Sequence, residues 1–459
     1  MRSLAFTIAC ACLAASPVSG QQRKTCVLVI DHVGREGIRS EFLPGNTNYD
    51  AAGDVRMHCD KQKVTLRTDS ISMLSGEYAR LFGHAVYQDS GYRFAADTMV
   101  YITRIEKIEA RGHVNVLDRT TGSTLVGPYV DYWRQVKGIN DSAKVVAVSR
   151  PTVRYYARSA PNDTGRQHPY ILSGQRLQGF GQSRLWGGGA VTIDRDSLHG
   201  TGDSLAFARG AAGIGQLIGA PATLRRTGSD SFAVFGRDIR LGLADDQLRD
   251  LHAFVDARVI RGASVVTGDT VVLEFAGEKV SLTLAWGKTT GATLHSGGYD
   301  VRGDSLAVDS PGELLRELRV TKGRMQNPRD SMALKPVRLP GDSTPPDTTR
   351  NWLAGDRLLA HFEQADSAGT AITRLRQLEA FGRAASYFSR SVAKNGKVTP
   401  SINYTTADTI FVIMKAADST GVAAVSAHGH VSGVQLETAS LKKQRSDTSK
   451  AVTVPGVRP

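Results

Sequence analysis

Carboxylates are the most regularly placed chemical groups in this chain. Eight aspartates recur in related surroundings: Asp69 in VTLRTDSISML, Asp97 in YRFAADTMVY, Asp203 in LHGTGDSLAFA, Asp238 in AVFGRDIRLGL, Asp269 in VVTGDTVVLEF, Asp304 in VRGDSLAVDS, Asp356 in WLAGDRLLAHF and Asp408 in INYTTADTIFVI. A row of acids suits calcium ligation or acid–base catalysis. Calcium β-rolls, however, carry Gly-Gly-x-Gly-x-Asp nonapeptides, which are absent, and the intervals here are far longer: 28 residues from Asp69 to Asp97 and 52 from Asp304 to Asp356. The other chemical motifs are equally incomplete. There is no Gly-x-Ser-x-Gly elbow and no His-Glu-x-x-His; Gly287-Lys288-Thr289 lacks the upstream glycine of a phosphate loop, and Gly213-Ile214-Gly215 lacks a βαβ context. His428 and His430 face the same way on a strand but have no third ligand at a matching spacing, which favours turn histidines. These patterns point away from an enzyme, a cofactor or a metal.

The surroundings of the aspartates explain the row differently. Val64 and Leu66 lie five and three residues before Asp69, and Ile71 and Met73 lie two and four after it; Tyr92, Phe94, Met99 and Tyr101 keep the same intervals around Asp97. A straight strand keeps one parity on one face, so the five-residue step from Leu66 to Ile71 changes face unless the chain bulges between them. Each Asp is therefore expected at a corner, its carboxylate capping backbone N–H groups nearby. The segment LVGPYVDY fits the pattern poorly and aligns best with Pro128 in the Asp position. A second motif closes each unit: Gly before a small or β-branched strand start, as in ARLFGHAV, KIEARGHVNV, LEAFGRAAS and VSAHGHVSG. Alone, TRIEKIEARG reads equally as a short amphipathic helix; the repeat context favours β-turn-β.

Short strands alternating with Gly, Asp and Asn turns predict an all-β chain of repeated bent antiparallel strands. The sequence divides into an expected signal peptide (1–20), β units over 24–158, a linker or insertion at 159–184, further β units over 185–333, a Pro-rich linker at 334–350, C-terminal β units over 351–441 and a polar, disordered tail at 442–459. Export would leave Cys26 and Cys59, and the sequence admits either one disulfide or two buried thiols. The formal net charge is +13. A basic exported protein suits an anionic partner, and the scattered Lys and Arg argue against a nucleic-acid stripe.

The apolar positions offer the other clue. Phe94, Met99, Tyr101, Phe207, Phe235, Phe275 and Phe411 are candidates to point inward, with no helix predicted to cover them. They either fill the core of a stacked β-solenoid, giving a structural or adhesive protein, or line a seam for a long apolar ligand.

Phe94-Ala95-Ala96-Asp97 through Val100-Tyr101, then Ile105 to Ala110 and Gly112-His113-Val114, closely resembles the OstA-like repeat. That family includes the periplasmic lipopolysaccharide bridge (LptA) and the amino-terminal domain of the outer-membrane translocon (LptD). The resemblance is strongest over 50–135 and recurs near 185–290 and 350–435. It implies a β-jellyroll of sharply bent strands (an LptA-like β-taco) extended into an array, whose apolar groove holds acyl chains of lipopolysaccharide or a similar anionic glycolipid. It further implies a periplasmic or outer-membrane-associated location and joining to a barrel translocon and an inner-membrane complex by strand-edge pairing. On this reading Leu66, Ile71, Met73, Phe94, Met99, Tyr101, Val114, Val116, Leu205 and Phe207 are the groove residues. The chain is longer than a single-domain bridge and lacks a membrane-barrel region.

Overall fold

The computed structural model describes residues 26–437, apart from 35–36, 44–45, 61, 157–167, 182–183, 209–211, 229, 245–246, 289–290, 297, 312–313, 327–350, 368–369, 395–396 and 416–417. The expected signal peptide, the Pro-rich linker and the tail all lie outside these residues. The described chain forms antiparallel strands with no α-helix, joined into two compact units: 26–156 with 173–185, and 168–172 with 186–437. The blocks expected separately at 185–333 and 351–441 thus fall in one unit.

The first unit comprises β1 (Leu28–His32), β2 (Ile38–Leu43), β3 (Asn46–Cys59), β4 (Thr65–Leu74), β5 (Tyr78–Gln88), β6 (Tyr92–Ile102), β7 (Lys107–Asp118), β8 (Thr124–Trp133), β9 (Lys144–Val148) and β10 (Thr152–Tyr155), with β12 below. From β3 to β8 each strand pairs with the next. The described part of the expected linker or insertion at 159–184 contains β11 (Tyr170–Ser173) and β12 (Arg176–Phe180), and β12 pairs with β9. The helical reading of TRIEKIEARG also gives way. Only Thr103–Ile105 turns, as a single 3-10 turn, and Lys107 onward is strand because Ile108, Ala110, Val114 and Val116 are buried on one face.

The second unit continues with β13 (Arg184–Arg195), β14 (Leu198–Ala208), β15 (Ala212–Arg226), β16 (Phe232–Ala244), β17 (Gln247–Arg261), β18 (Ser264–Ala276), β19 (Lys279–Trp286), β20 (Ala292–Ser296), β21 (Tyr299–Gly303), β22 (Ser305–Asp309), β23 (Glu317–Gln326), β24 (Trp352–Ser367), β25 (Thr370–Lys394), β26 (Lys397–Lys415), β27 (Asp418–His428) and β28 (Ser432–Glu437). Here some bent strands are split. One end of β18 pairs with β19 and the other with β20, so β19 and β20 act as the two arms of one strand interrupted at residues 287–291.

The bend is visible in the registers. Arg67 pairs with Val86 and Ser70 with Phe82, so Thr68-Asp69 faces the three residues Gly83, His84 and Ala85. Ala95 pairs with Asn115 and Thr98 with Arg111, placing Ala96-Asp97 against Gly112, His113 and Val114. The same slip occurs at Gly355-Asp356 and at Asp408. This bulge restores parity across the corner: Val64, Leu66 and Ile71 are all buried, as are Ile410 and Val412 after Asp408. Pro128 occupies the corresponding corner of β8, where Arg111 pairs with Tyr129 and Val114 with Gly127.

Candidate functional site

The two recurring motifs meet at the corners. Asp69 Oδ2 lies 2.8 Å from His84 Nδ1, Asp97 Oδ2 lies 2.9 Å from His113 Nδ1, and Asp408 Oδ2 lies 2.8 Å from His430 Nδ1. Asp356 pairs with Arg383. The carboxylate therefore reaches across to the Gly-basic pair of the next strand, which corrects the expectation of a purely local cap. Backbone donors are part of the same contact: His113 N–H donates to Asp97 Oδ2 at 3.2 Å and Lys288 N–H to Asp269 Oδ2 at 2.7 Å. Gly287-Lys288 is thereby assigned a corner role. Acid and base alternate along each column, as Asp69, His84, Asp97 and His113 in one unit and as Asp304, Lys322, Asp356, Arg383, Asp408 and His430 in the other. These side chains are largely exposed, so they fix the bend more than they add stability. Among the described residues no group of three or more His, Cys, Asp or Glu is placed to hold a metal ion.

Inside the first unit the apolar residues pack into a filled core. Leu66, Ile71, Phe94, Met99, Tyr101, Val114 and Val116 are all buried, with Met73 half-buried against them. Phe94 stacks on Tyr132 with ring centroids 4.9 Å apart and meets Tyr87 edge-on at 5.9 Å. Polar ends of these rings are satisfied within the core: Tyr87 and Tyr132 hydroxyls donate to Asp89 Oδ2 at 3.0 and 2.8 Å. At the other end Glu106, fully buried, accepts from Tyr101 Oη at 2.5 Å, from Cys26 N–H at 3.0 Å, and from Arg134 Nε and Nη2 at 3.1 and 2.9 Å. Burial and the adjoining carboxylates push the Tyr101 and Tyr132 hydroxyls far above their ordinary range, so they stay protonated and donate to those carboxylates. Cys26 and Cys59 form a disulfide beside this network.

The second unit carries a cleft. Leu205 and Phe207 of β14 line a cleft of about 560 Å³ together with Ile193, Leu224, Leu241 and Leu243. Leu205 is buried and Phe207 half-buried. Tyr170 closes one wall, its ring covered by the Arg195 guanidinium at 4.5 Å, while Arg226 lies over Phe232 at 5.4 Å. The mouth carries both signs of charge: Arg195, Arg226 and Lys279 against Asp196 and Glu278. Asp230 stands at the inner end, accepting from Val280 N–H and from Arg261 Nη2, both at 3.1 Å. Beyond it a smaller cavity of about 280 Å³ is walled by Val259, Val266, Leu294, Val308 and Leu315. Asp230 lines both cavities, and the smaller one mixes these apolar side chains with Ser264, Thr283, Ser296 and Ser310.

Two inward assignments are corrected by parity. Phe235 and Phe411 lie on the face opposite the interior, because Val234 and the pair Ile410/Val412 take the buried positions beside them. Phe235 instead packs under Arg225 and Arg258, and Phe411 against Phe381 and His428. Phe275 is half-buried against Phe232. The cleft residues Leu241 and Leu243 were missed although the LGL alternation after Asp238 carries their signal; Glu106 and Asp89 offered none, since nothing local marks a carboxylate for burial.

No protein-family model matches the chain, and no curated protein does. Among solved structures, the chain is similar to LptH, described as the LptA-homologous periplasmic component of the lipopolysaccharide transport device of Pseudomonas aeruginosa. The identity is 18% and the TM-score 0.23, over 28% of this chain and 88% of LptH. The all-β assignment rests on the strands and registers above.

Proposed function

We propose that the protein is a non-enzymatic, periplasmic lipid-binding protein of the lipopolysaccharide transport or outer-membrane assembly type, its second unit holding acyl chains and its first serving as a scaffold. The observation that carries this is the apolar cleft around Leu205, Phe207, Leu241 and Leu243, which opens at a mouth bearing Arg195, Arg226 and Lys279. Burial of acyl chain there is worth roughly 25 cal/mol per Å², and the cations at the mouth suit a phosphorylated headgroup. The OstA-like repeat in the sequence supports the same reading. Transport partners, a barrel translocon and an inner-membrane complex, would join by pairing with terminal strands; β27 and β28 both pair with β26 and expose most of their described side chains. The buried aromatic core favours a structural role for the first unit, so of the expected groove residues Leu205 and Phe207, with their neighbours, are the ones proposed to meet acyl chains.

Photo-crosslinking side chains at positions 207, 243 and 94 test this in intact cells. Lipid adducts are expected at 207 and 243 and none at 94. Absence of adducts at both cleft positions sinks the lipid-binding reading; a strong adduct at 94 sinks the scaffold assignment.

A further inference from the structure

The bent strands of the second unit give it two arms, and both the cleft at Leu205 and the smaller cavity at Val266 have walls from each. β18 bends at Asp269; its Ser264 end pairs with Arg261 and its Ala276 end with Lys279. Arg261 therefore stands at the tip of one arm and Val280 at the tip of the other. Asp230 belongs with Arg261, since it lies in the turn closed by the Arg226–Phe232 pair, and Ala233 just beyond it pairs with Ile260. Ser310 belongs with Val280, because Asp309 before it pairs with Leu282 of β19. Two hydrogen bonds thus run from tip to tip across the open side of the bent sheet. Val280 N–H donates to Asp230 Oδ2, and Arg261 Nη1 donates to Ser310 Oγ, each at 3.1 Å. Arg261 Nη2 ties the two together through Asp230 Oδ1, also at 3.1 Å. The clasp is buried, with Asp230 9% and Ser310 4% exposed. Arg226 adds an exposed crossing contact to Glu278 O on the cleft side, and exposed contacts of charged groups hold little. Asp230 borders both cavities, so the clasp stands where they meet.

We propose that this clasp confines a bound lipid to the larger cleft, with Asp230 and Arg261 as its positioning residues. An amphiphile whose acyl chain lies between the arms and whose headgroup lies in solvent passes through the open side of the sheet. It cannot move along that side beyond Asp230 while the tips are joined. Moving on breaks both crossing bonds and leaves buried charged groups without partners, which is far costlier than losing a neutral contact at the surface. The clasp rests on the acyl-binding reading of the cleft and adds to it where along the unit the lipid is held.

The test uses the purified full chain with a photo-crosslinking side chain at position 207, in the cleft, or at position 308, in the smaller cavity. Each is irradiated with lipid A. With the clasp intact an adduct is expected at 207, and at most about a tenth as much at 308. Asp230→Ala/Arg261→Ala should keep the adduct at 207 and raise the yield at 308 at least about tenfold. Asp230→Asn keeps the shape and removes the charge; it should give a smaller rise, and it serves if the double variant loses its far-ultraviolet β signal. No adduct at either position sinks the acyl-binding reading and the clasp with it. An adduct at 207 matched by an equal one at 308 with the clasp intact, or a yield at 308 that neither variant raises, overturns the clasp alone.

Discussion

Replacing Gly112 by alanine tests the corner that organises the repeat. Gly112 has φ +91°, and a Cβ there would lie 2.2 Å from Asp97 Oδ2 and 2.6 Å from both Asp97 Cβ and Cγ. The clash involves the short stem of the aspartate, whose carboxylate is held by the His113 N–H and ring, so it cannot swing away freely. A left-handed backbone costs a non-glycine residue about 1–2 kcal/mol. Overpacking adds about 1–3 kcal/mol. At roughly 1.4 kcal/mol per factor of ten, hydrogen exchange of the β6 and β7 amides should accelerate by at least about 30-fold in Gly112→Ala. Asp97→Gly removes all three clashing atoms, so in that background Gly112→Ala retains only the backbone cost. The two substitutions should then be non-additive by about 1–3 kcal/mol; additivity within about 0.5 kcal/mol would refute a corner built on Asp97 against Gly112.

Acid should loosen the same corner. His113, first through its ring and then through its N–H, holds the Asp97 carboxyl below its ordinary range, so this stabilisation is present above the unfolded carboxylate value of about 3.9 and is lost as pH falls through the lower folded value. Exchange protection in β6 and β7 should be flat near neutrality and fall below about pH 4, and Asp97→Asn should abolish that acid limb. Asp89→Ala strands two buried tyrosine hydroxyls and should cost about 2–4 kcal/mol in urea unfolding of the first unit. The Cys26→Ser/Cys59→Ser variant, which opens a loop with a sequence separation of 33, should lose about 2–4 kcal/mol in that unit and leave the protection of β14 to β18 unchanged.

Much of the fold was legible because its rules are local. Parity around Asp69 and Asp97 required a bulge, and the registers place it there, with Pro128 taking the equivalent corner of β8. Period-2 burial likewise identified Leu66, Ile71, Phe94 and Met99 as one face. Phe235 was misplaced because β16 bends at Gly236-Arg237, ahead of Asp238, which gives the buried parity to Val234 and Ile239; Phe411 was chosen for its size, although Ile410 and Val412 keep the two- and four-residue intervals after Asp408.

The sequence by itself determined the bends at Asp69, Asp97, Asp356 and Asp408 and the residues that turn inward beside Asp69 and Asp97, since both follow from side-chain alternation within a single strand. Tertiary structure alone decided what each Asp bonds to, because His84, His113, Arg383 and His430 reach their partners only when neighbouring strands align. It also decided core against cleft. Tyr87, Phe94 and Tyr132 fill the first interior around a buried Asp89, whereas Leu205, Leu241 and Leu243 leave space in the second, because a void depends on how side chains from opposing arms meet, and no single strand encodes that distance.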